Sequence, residues 1–430
     1  MKKNINIAIV GLGQIGNYLY NEINIKKKDI EKKTGKKIKI VAISAKNINK
    51  KRKFKISKKI FFSNPLNIFK TKKIDILFEC IGLPDGISKK IIKTALKNKI
   101  HVITPNKALI SKHGDKLGQL AEKNNVNLEF EASVAGGIPI LRTIKEGLAT
   151  NKITKVYGIL NGTCNYIMTE MERTKDTFKN VLKKAQHLGY AEPSNPKLDL
   201  NGYDALAKIK ILSSLAFNRK ISNAKCLMEG IENIDYADIK IADQLNFRIK
   251  LLGITEIINN KIFERVHPCL VKKDSYIGNV NGVMNAVILN GIPIGENVLQ
   301  GEGAGPGPTS SALMSDLLSI LRGNIKYPFG ISQKKRIIPK IFNKDLSSNS
   351  LYFRLEVKDK PGVLSSITKH FANCNISIQR LIQFPDNKKK IASIIIITHD
   401  ANEANSIKCL SIFKKNINII KTPVLIRLFK

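Results

Sequence analysis

The chain has 430 residues, enough for two or three domains, and its 43% hydrophobic content supports packed cores and excludes a disordered chain. Lys and Arg number 73 against 34 Asp and Glu, a formal net charge of +39, yet the lysines are spread over the whole length among many Ile and Asn. With 6% aromatic residues and no Trp, this charge reads as compositional drift and argues against a dedicated nucleic-acid surface.

The first predicted element is the apolar run 5–10, continuous as in a strand buried on both faces of a parallel sheet. It ends in Gly11-Leu12-Gly13-Gln14-Ile15-Gly16, followed by a helical stretch. In that context the three glycines predict a dinucleotide-binding turn. Gly11 allows the sharp strand-to-helix turn, Gly13 lets the backbone approach a pyrophosphate, and Gly16 allows close helix packing. The unpaired N–H groups and positive dipole end of the helix then face the phosphates. A second strand, "KIKIVAIS", ends near Ser44 without the carboxylate that would bind a ribose 2′-hydroxyl. Ser44, Lys46, Lys50, Lys51 and Arg52 suit a 2′-phosphate instead, so NADP is favoured over NAD. A third strand runs to Gly82, a helix follows, and a fourth strand starts at His101 and carries Lys107 in "TPNK" at its end. Strand and helix alternate as in βα units, so the fold class is α/β with an N-terminal Rossmann-like dinucleotide-binding domain.

A second region, 131–330, is expected to be an α+β substrate and dimerisation domain. It contains "EFEASVAGGIPI", "GILNGTCNYIM", an acidic segment and "GEGAGPGPTSSALMSDLLSI". The last piece is a glycine-rich loop and helix, expected over 303–325 to return to the domain 1–130. Residues 331–349 lack periodicity and read as a linker. The remainder, 350–430, follows a β-α-β-β-α-β order, a ferredoxin-like module.

The acidic segment is "GYAEPSNPKLDLNGYDALAK", 189–208, which concentrates Glu192, Asp199 and Asp204 in a very basic chain. Asp204 and Lys208 are four apart, one helical turn. Taken alone, that spacing describes a surface ion pair worth about 0.3–0.5 kcal/mol. The six cysteines show no CxxC pair and the six histidines no zinc-ligand spacing, which fits reduced thiols in a cytoplasmic protein. Met1-Lys2-Lys3 leads directly into a strand without a signal-peptide core, and "IASIIIITHD" is too short to span a bilayer, so no membrane partner is expected.

These segments, in this order and over essentially the whole chain, resemble homoserine dehydrogenases of the longer bacterial form with a C-terminal ACT domain. The segment 189–208 is similar to the family signature, with Asn195-Pro196 where Asp-Pro is usual and Cys164 where Thr is common. The resemblance implies reversible, NAD(P)-dependent interconversion of L-aspartate 4-semialdehyde and L-homoserine, on the route to threonine, methionine and isoleucine. It implies Lys208 as the acid/base lysine, Lys107 in the cofactor and substrate site, and Glu192 at the substrate amine. Asp199 and Asp204 would shape the same pocket, with Thr163 and Gly303 in adjacent loops. A structural Na+ would be held by Glu131 and the carbonyls of Val134, Gly136 and Ile138. Asp359 and Gly362, in "DKPGVL", would form a regulatory loop for threonine, and a homodimer or homotetramer is implied. Other readings are a different amino-acid dehydrogenase, a non-catalytic amino-acid sensor and a basic nucleic-acid binder. The signature 189–208 argues against the first, the retained Lys107 and Lys208 against the second, and the dispersed lysines against the third.

Overall fold

The computed structural model describes the whole chain except residues 1–3, 51, 53, 55 and 387–388. Six parallel strands form one sheet in the order Phe61–Phe62, Lys37–Ser44, Asn4–Val10, Ile76–Glu79, His101–Ile103 and Leu128–Glu129. In sequence order this is 3-2-1-4-5-6, the doubly wound arrangement that places a crevice beside the first strand. The continuity of the first apolar run has a plain cause. Ile7 and Ile9 face one core with Leu19, Ile23 and Leu313, while Ala8 and Val10 face the other with Ile91 and Leu109. The helix Pro306–Leu321 joins the first of these cores and packs on the helix Gln14–Ile25.

Two predicted strands end early. The third is Ile76–Glu79 and the fourth His101–Ile103, so Lys107 is not on a strand. It is the first residue of the helix Lys107–Lys123, which Asn106 caps by accepting from the Leu109 N–H at 3.1 Å. Pro105 and an Asn cap stop the strand and start the helix at once.

A second, mostly antiparallel sheet of ten strands spans the rest. With Leu227–Met228 pairing off the path beside Lys261–Lys272, the other nine run Gly295–Glu302, Met284–Ile292, Lys152–Ile159, Phe247–Ile258, Lys261–Lys272, then Val424–Leu428, Leu351–Lys358, Ile391–Thr398 and Ile378–Asp386. The last four, with the helices Val363–Asn373 and Glu403–Lys415, make the expected β-α-β-β-α-β module. Val424–Leu428 pairs in parallel with Lys261–Lys272, Cys269 opposite Arg427, so the C-terminal module extends the preceding sheet. The stretch 331–349 is anchored rather than free. Arg336 is fully buried, donates to Asp115 Oδ1 at 2.6 Å and lies over the Phe329 ring. Among the described residues, no helix is long and apolar enough to cross a membrane.

Candidate active site

The glycine turn has the sterics a dinucleotide site needs. Gly11 sits at φ +95°, and a Cβ there would lie 2.6 Å from the Cys80 carbonyl carbon. At Gly16 a Cβ would fall 1.9 Å from the Gly11 oxygen, whereas at Gly13 it would meet nothing within 4 Å. Two glycines are therefore needed by the fold and one leaves an open face. Leu12 anchors the turn in the core, and Gln14 starts the helix, whose first N–H groups have no side-chain cap. The residues present fit a nicotinamide dinucleotide with its pyrophosphate over Gly13. At the end of the second strand Ser44 is buried, its carbonyl accepting from the Gly11 N–H at 2.9 Å, and Lys46 is exposed. Arg52 folds back on the carbonyls of Asn47, Ile48 and Lys50 at 2.8–3.0 Å. Lys51 lies outside the described residues.

Glu79, fully buried at the end of its strand, stiffens the neighbouring loop. It accepts from the Ile81 and Gly82 N–H groups, from Ser88 and Thr104 hydroxyls, and from Asn106. Asn106 caps the Lys107 helix, so one buried carboxylate sets where Lys107 begins.

The crevice continues into a cavity of about 610 Å³, lined among others by Gln14, Ile15, Lys107, Asp199, Asp204 and Lys208. Lys208, on the helix Tyr203–Ala216, is only 7% exposed. Its Nζ donates to the Leu160 carbonyl at 2.6 Å and to Asp204 Oδ2 at 2.7 Å. The Lys107 ammonium holds the other oxygen, Asp204 Oδ1, at 2.7 Å. Asn161 joins the two acids, donating to Asp199 Oδ1 at 2.8 Å and Asp204 Oδ2 at 3.0 Å.

Burial pushes the Asp204 carboxyl up, but Lys208 and Lys107 together pull it below its ordinary value, so it is ionised. Burial lowers the Lys208 ammonium; Asp204 opposes this and Lys107 adds to it. Lys107 moves the other way, raised by Asp204. Asp199 is raised by burial and by the charge on Asp204.

The loop 131–138 closes one wall. Ala135 and Gly136 both have positive φ, and a Cβ on Gly136 would lie 2.6 Å from the Gly303 carbonyl oxygen. Gly137 N–H donates to the Glu302 carbonyl at 3.0 Å, so this loop and the glycine-rich 303–305 turn are one wall. The buried Glu131 carboxylate accepts from the Leu141 and Arg142 N–H groups, each at 2.8 Å, capping a helix start. Its side chain is thereby engaged, and a cation at this loop would be held by main-chain carbonyls. The Ile138 carbonyl already accepts from the Ile140 N–H at 2.8 Å. Among the described residues, no group of three or more His, Cys, Asp or Glu is placed to hold a metal.

Glu192 is not brought to the cavity. It is exposed and absent from the lining residues. Gln186 Nε2 donates to the carbonyls of Glu192 and Pro193, each at 3.2 Å, which ties this loop to the end of the helix Phe178–His187. Thr163 does line the cavity, and its hydroxyl donates to the Tyr190 carbonyl. Asp359 and Gly362 lie in the C-terminal module. Gly362, at φ +85°, precedes the helix Val363–Asn373, and Asp359 Oδ1 accepts from Gln383 at 3.3 Å. Asn161 and the Leu160 carbonyl were not singled out from sequence. The Asn of "NGTCN" at a predicted strand-to-helix turn is the signal that points to it.

A Rossmann-type sheet, a glycine turn open at one position and a buried lysine–carboxylate pair in the adjoining cavity define a nicotinamide-dependent oxidoreductase. Residues 11–131 match the family model described as "Homoserine dehydrogenase, NAD binding domain", 139–318 that described as "Homoserine dehydrogenase", and 353–421 that of an "AHAS small subunit-like ACT domain". The chain belongs to the homoserine dehydrogenase family. It is 37% identical to the homoserine dehydrogenase of Neisseria gonorrhoeae, over 97% of this chain and 98% of that one. It is 36% identical to that of Helicobacter pylori, over the full length of both. The crystal structure of a homoserine dehydrogenase from Thiobacillus denitrificans superposes with a TM-score of 0.90 at 33% identity, covering 100% and 99% of the two chains.

Proposed function

We propose that, in the homoserine dehydrogenase reaction, Lys208 moves the proton at the carbonyl oxygen and Asp199 holds the amino group of the substrate. The observation that carries this reading is the buried Lys208 ammonium, with two of its donors fixed by Leu160 and Asp204. An ammonium has three N–H donors, so one remains to meet a substrate oxygen. The bound dinucleotide supplies or takes the hydride. As negative charge grows on the aldehyde oxygen of L-aspartate 4-semialdehyde, Lys208 donates a proton to it. In the direction of L-homoserine oxidation the neutral amine accepts the hydroxyl proton. Burial favours that neutral form, and the Lys107 charge adds to it. Asp204 ties both lysines in place. The Asp199 carboxylate, oriented by Asn161, receives the substrate ammonium, whose charge offsets the burial of the acid.

Residues 11–16, with Gly303 in the facing loop, would hold the dinucleotide. NADP is our preference, on the absence of an acid at the end of the second strand and on the exposed Lys46. A monovalent cation at the carbonyls of Glu131, Val134, Gly136 and Ile138 would have a purely structural role. Threonine at the Asp359–Gly362 turn is the regulatory reading, and a cytoplasmic homodimer or homotetramer the assembly. The test is dinucleotide reduction followed at 340 nm with L-homoserine, NADP+ and NAD+ separately, with and without threonine. Homoserine-dependent reduction that is faster with NADP+ and slowed by threonine is expected. Silence in both reaction directions overturns the reading.

A further inference from the structure

We propose that Arg427, in the C-terminal module, is a positioning residue for the substrate pocket: through Glu229 it fixes the segment 229–231 on which the Asp199 helix rests. Arg427 is 2% exposed on the strand Val424–Leu428. Half of its guanidinium is satisfied inside its own module, with Nε donating to Glu403 Oε2 at 2.9 Å. The other half reaches out of the module. Nη1 donates to Glu229 Oε2 at 2.8 Å and Nη2 to Glu229 Oε1 at 2.9 Å, a two-pronged contact that fixes orientation as well as distance.

Glu229 begins a short strut. Its own N–H donates to the Val266 carbonyl at 2.8 Å. Gly230 then lies flush on the neighbouring chain, where a Cβ would fall 2.2 Å from the Leu200 carbonyl oxygen and 2.8 Å from the Asn201 Cα. The N–H of the fully buried Ile231 donates to that same Leu200 oxygen at 3.0 Å. Leu200 follows Asp199 in the four-residue helix Lys197–Leu200. A helix that short has no stability of its own, so tertiary contacts decide where it sits. On its other side, the Asp199 carbonyl accepts from Cys164 Sγ at 3.3 Å and its carboxylate from Asn161 at 2.8 Å. From Arg427 to the pocket acid there are thus one ion pair, three residues of chain and one backbone hydrogen bond. The C-terminal module shapes the substrate site without touching it.

The inference rests on the role proposed above for Asp199. The test compares Glu229→Ala, Asp199→Asn and the double variant in L-homoserine oxidation, reading the KM for homoserine and for NADP+ separately. Glu229→Ala leaves the Arg427–Glu403 pair in place, so the module keeps its packing. It is expected to raise the homoserine KM about three- to tenfold while the NADP+ KM stays within about twofold, with the double variant worse than Asp199→Asn by much less than that factor. Glu229→Asp, which restores a carboxylate, should recover part of the loss. If Glu229→Ala yields no soluble enzyme, Glu229→Gln gives the same readout. An unchanged homoserine KM, a parallel rise in both KM values, or full multiplication of the two effects overturns the strut. A normal Asp199→Asn effect beside a silent Glu229→Ala overturns the strut alone. An unchanged KM in Asp199→Asn overturns the substrate role of Asp199 and the strut with it.

Discussion

Lys107 and Lys208 grip opposite oxygens of one carboxylate, each at 2.7 Å from Asp204. The two lysines come from different sheets' worth of chain: one begins a helix behind the parallel sheet, the other lies on a helix against the mixed sheet. Asp204 is therefore the joint at which the dinucleotide-binding region meets the substrate region. With both oxygens engaged it cannot leave to act as a base, and its work is to hold an ammonium at a fixed place in the cavity.

If Lys208 carries the proton, truncating it removes chemistry and not cofactor binding. Lys208→Ala is expected to lower kcat by about 10²–10⁴-fold. The dissociation constant of NADPH, read by fluorescence titration, should be unchanged because the glycine turn lies on another element. A parallel loss of NADPH affinity would sink the assignment.

The charges around Lys208 also fix a signed pH dependence. In the proposed role homoserine oxidation needs the neutral Lys208 amine, so kcat/KM should rise with pH along a limb whose midpoint lies below the ordinary 10.5. The Lys107 charge disfavours a second ammonium, so Lys107→Met should move that limb to higher pH. Asp204 favours the ammonium, so Asp204→Asn should move it to lower pH. A limb that stays in place in both variants belongs to some other group.

Much of this was legible because its cause is local. Gly11, Gly13 and Gly16 follow from the sterics of one turn, and the apolar run before them from burial on both faces. Lys208 and Asp204 are one helical turn apart, so their pairing needs no knowledge of the fold. The placement of Glu192 is not legible locally, because Gln186 ties the carbonyls of Glu192 and Pro193 to the end of the preceding helix. The role of Asn161 is not legible locally, because its two partners lie 38 and 43 residues away, across a crossover no periodicity announces. Arg354 and Arg427 were hidden for a different reason. In a chain with 73 basic residues, a buried arginine looks like any other until the strands are assembled.

Gly13 and Gly16 should separate stability from binding. Gly16→Ala places a Cβ 1.9 Å from a main-chain oxygen, so both the melting temperature and NADPH affinity should fall. Gly13→Ala meets nothing within 4 Å and its backbone is extended, so the melting temperature should hold. The added methyl would stand where the pyrophosphate approaches, and NADPH affinity should drop by about tenfold or more, about 1.4 kcal/mol. Thermal unfolding with and without NADPH reads both quantities, and equal behaviour of the two variants would show that the turn is only a packing feature.

Arg354 ties the C-terminal module to the preceding domain through a carboxylate with no solvent exposure. Its Nε donates to Asp238 Oδ1 at 2.6 Å and its Nη2 to Oδ2 at 2.9 Å, while the Tyr352 hydroxyl donates to Oδ1 at 3.0 Å. Arg354→Met leaves Asp238 buried without its cation, which should cost about 3–5 kcal/mol. Burial already raises the Asp238 carboxyl, and Arg354 is the main group holding it down. Without the arginine, the folded form would bind a proton more readily than the unfolded chain. Stability of the variant is then recovered as pH falls through that raised value, and lost above it. The melting temperature of Arg354→Met should therefore lie well below that of the parent in mildly alkaline buffer and closer to it in acidic buffer, once the pH is below the raised Asp238 value. Asp238→Asn combined with Arg354→Met should flatten the difference, since the amide carries no charge to neutralise. A deficit in Arg354→Met that is the same at both pH values would mean that lost packing, and not the stranded carboxylate, sets its size.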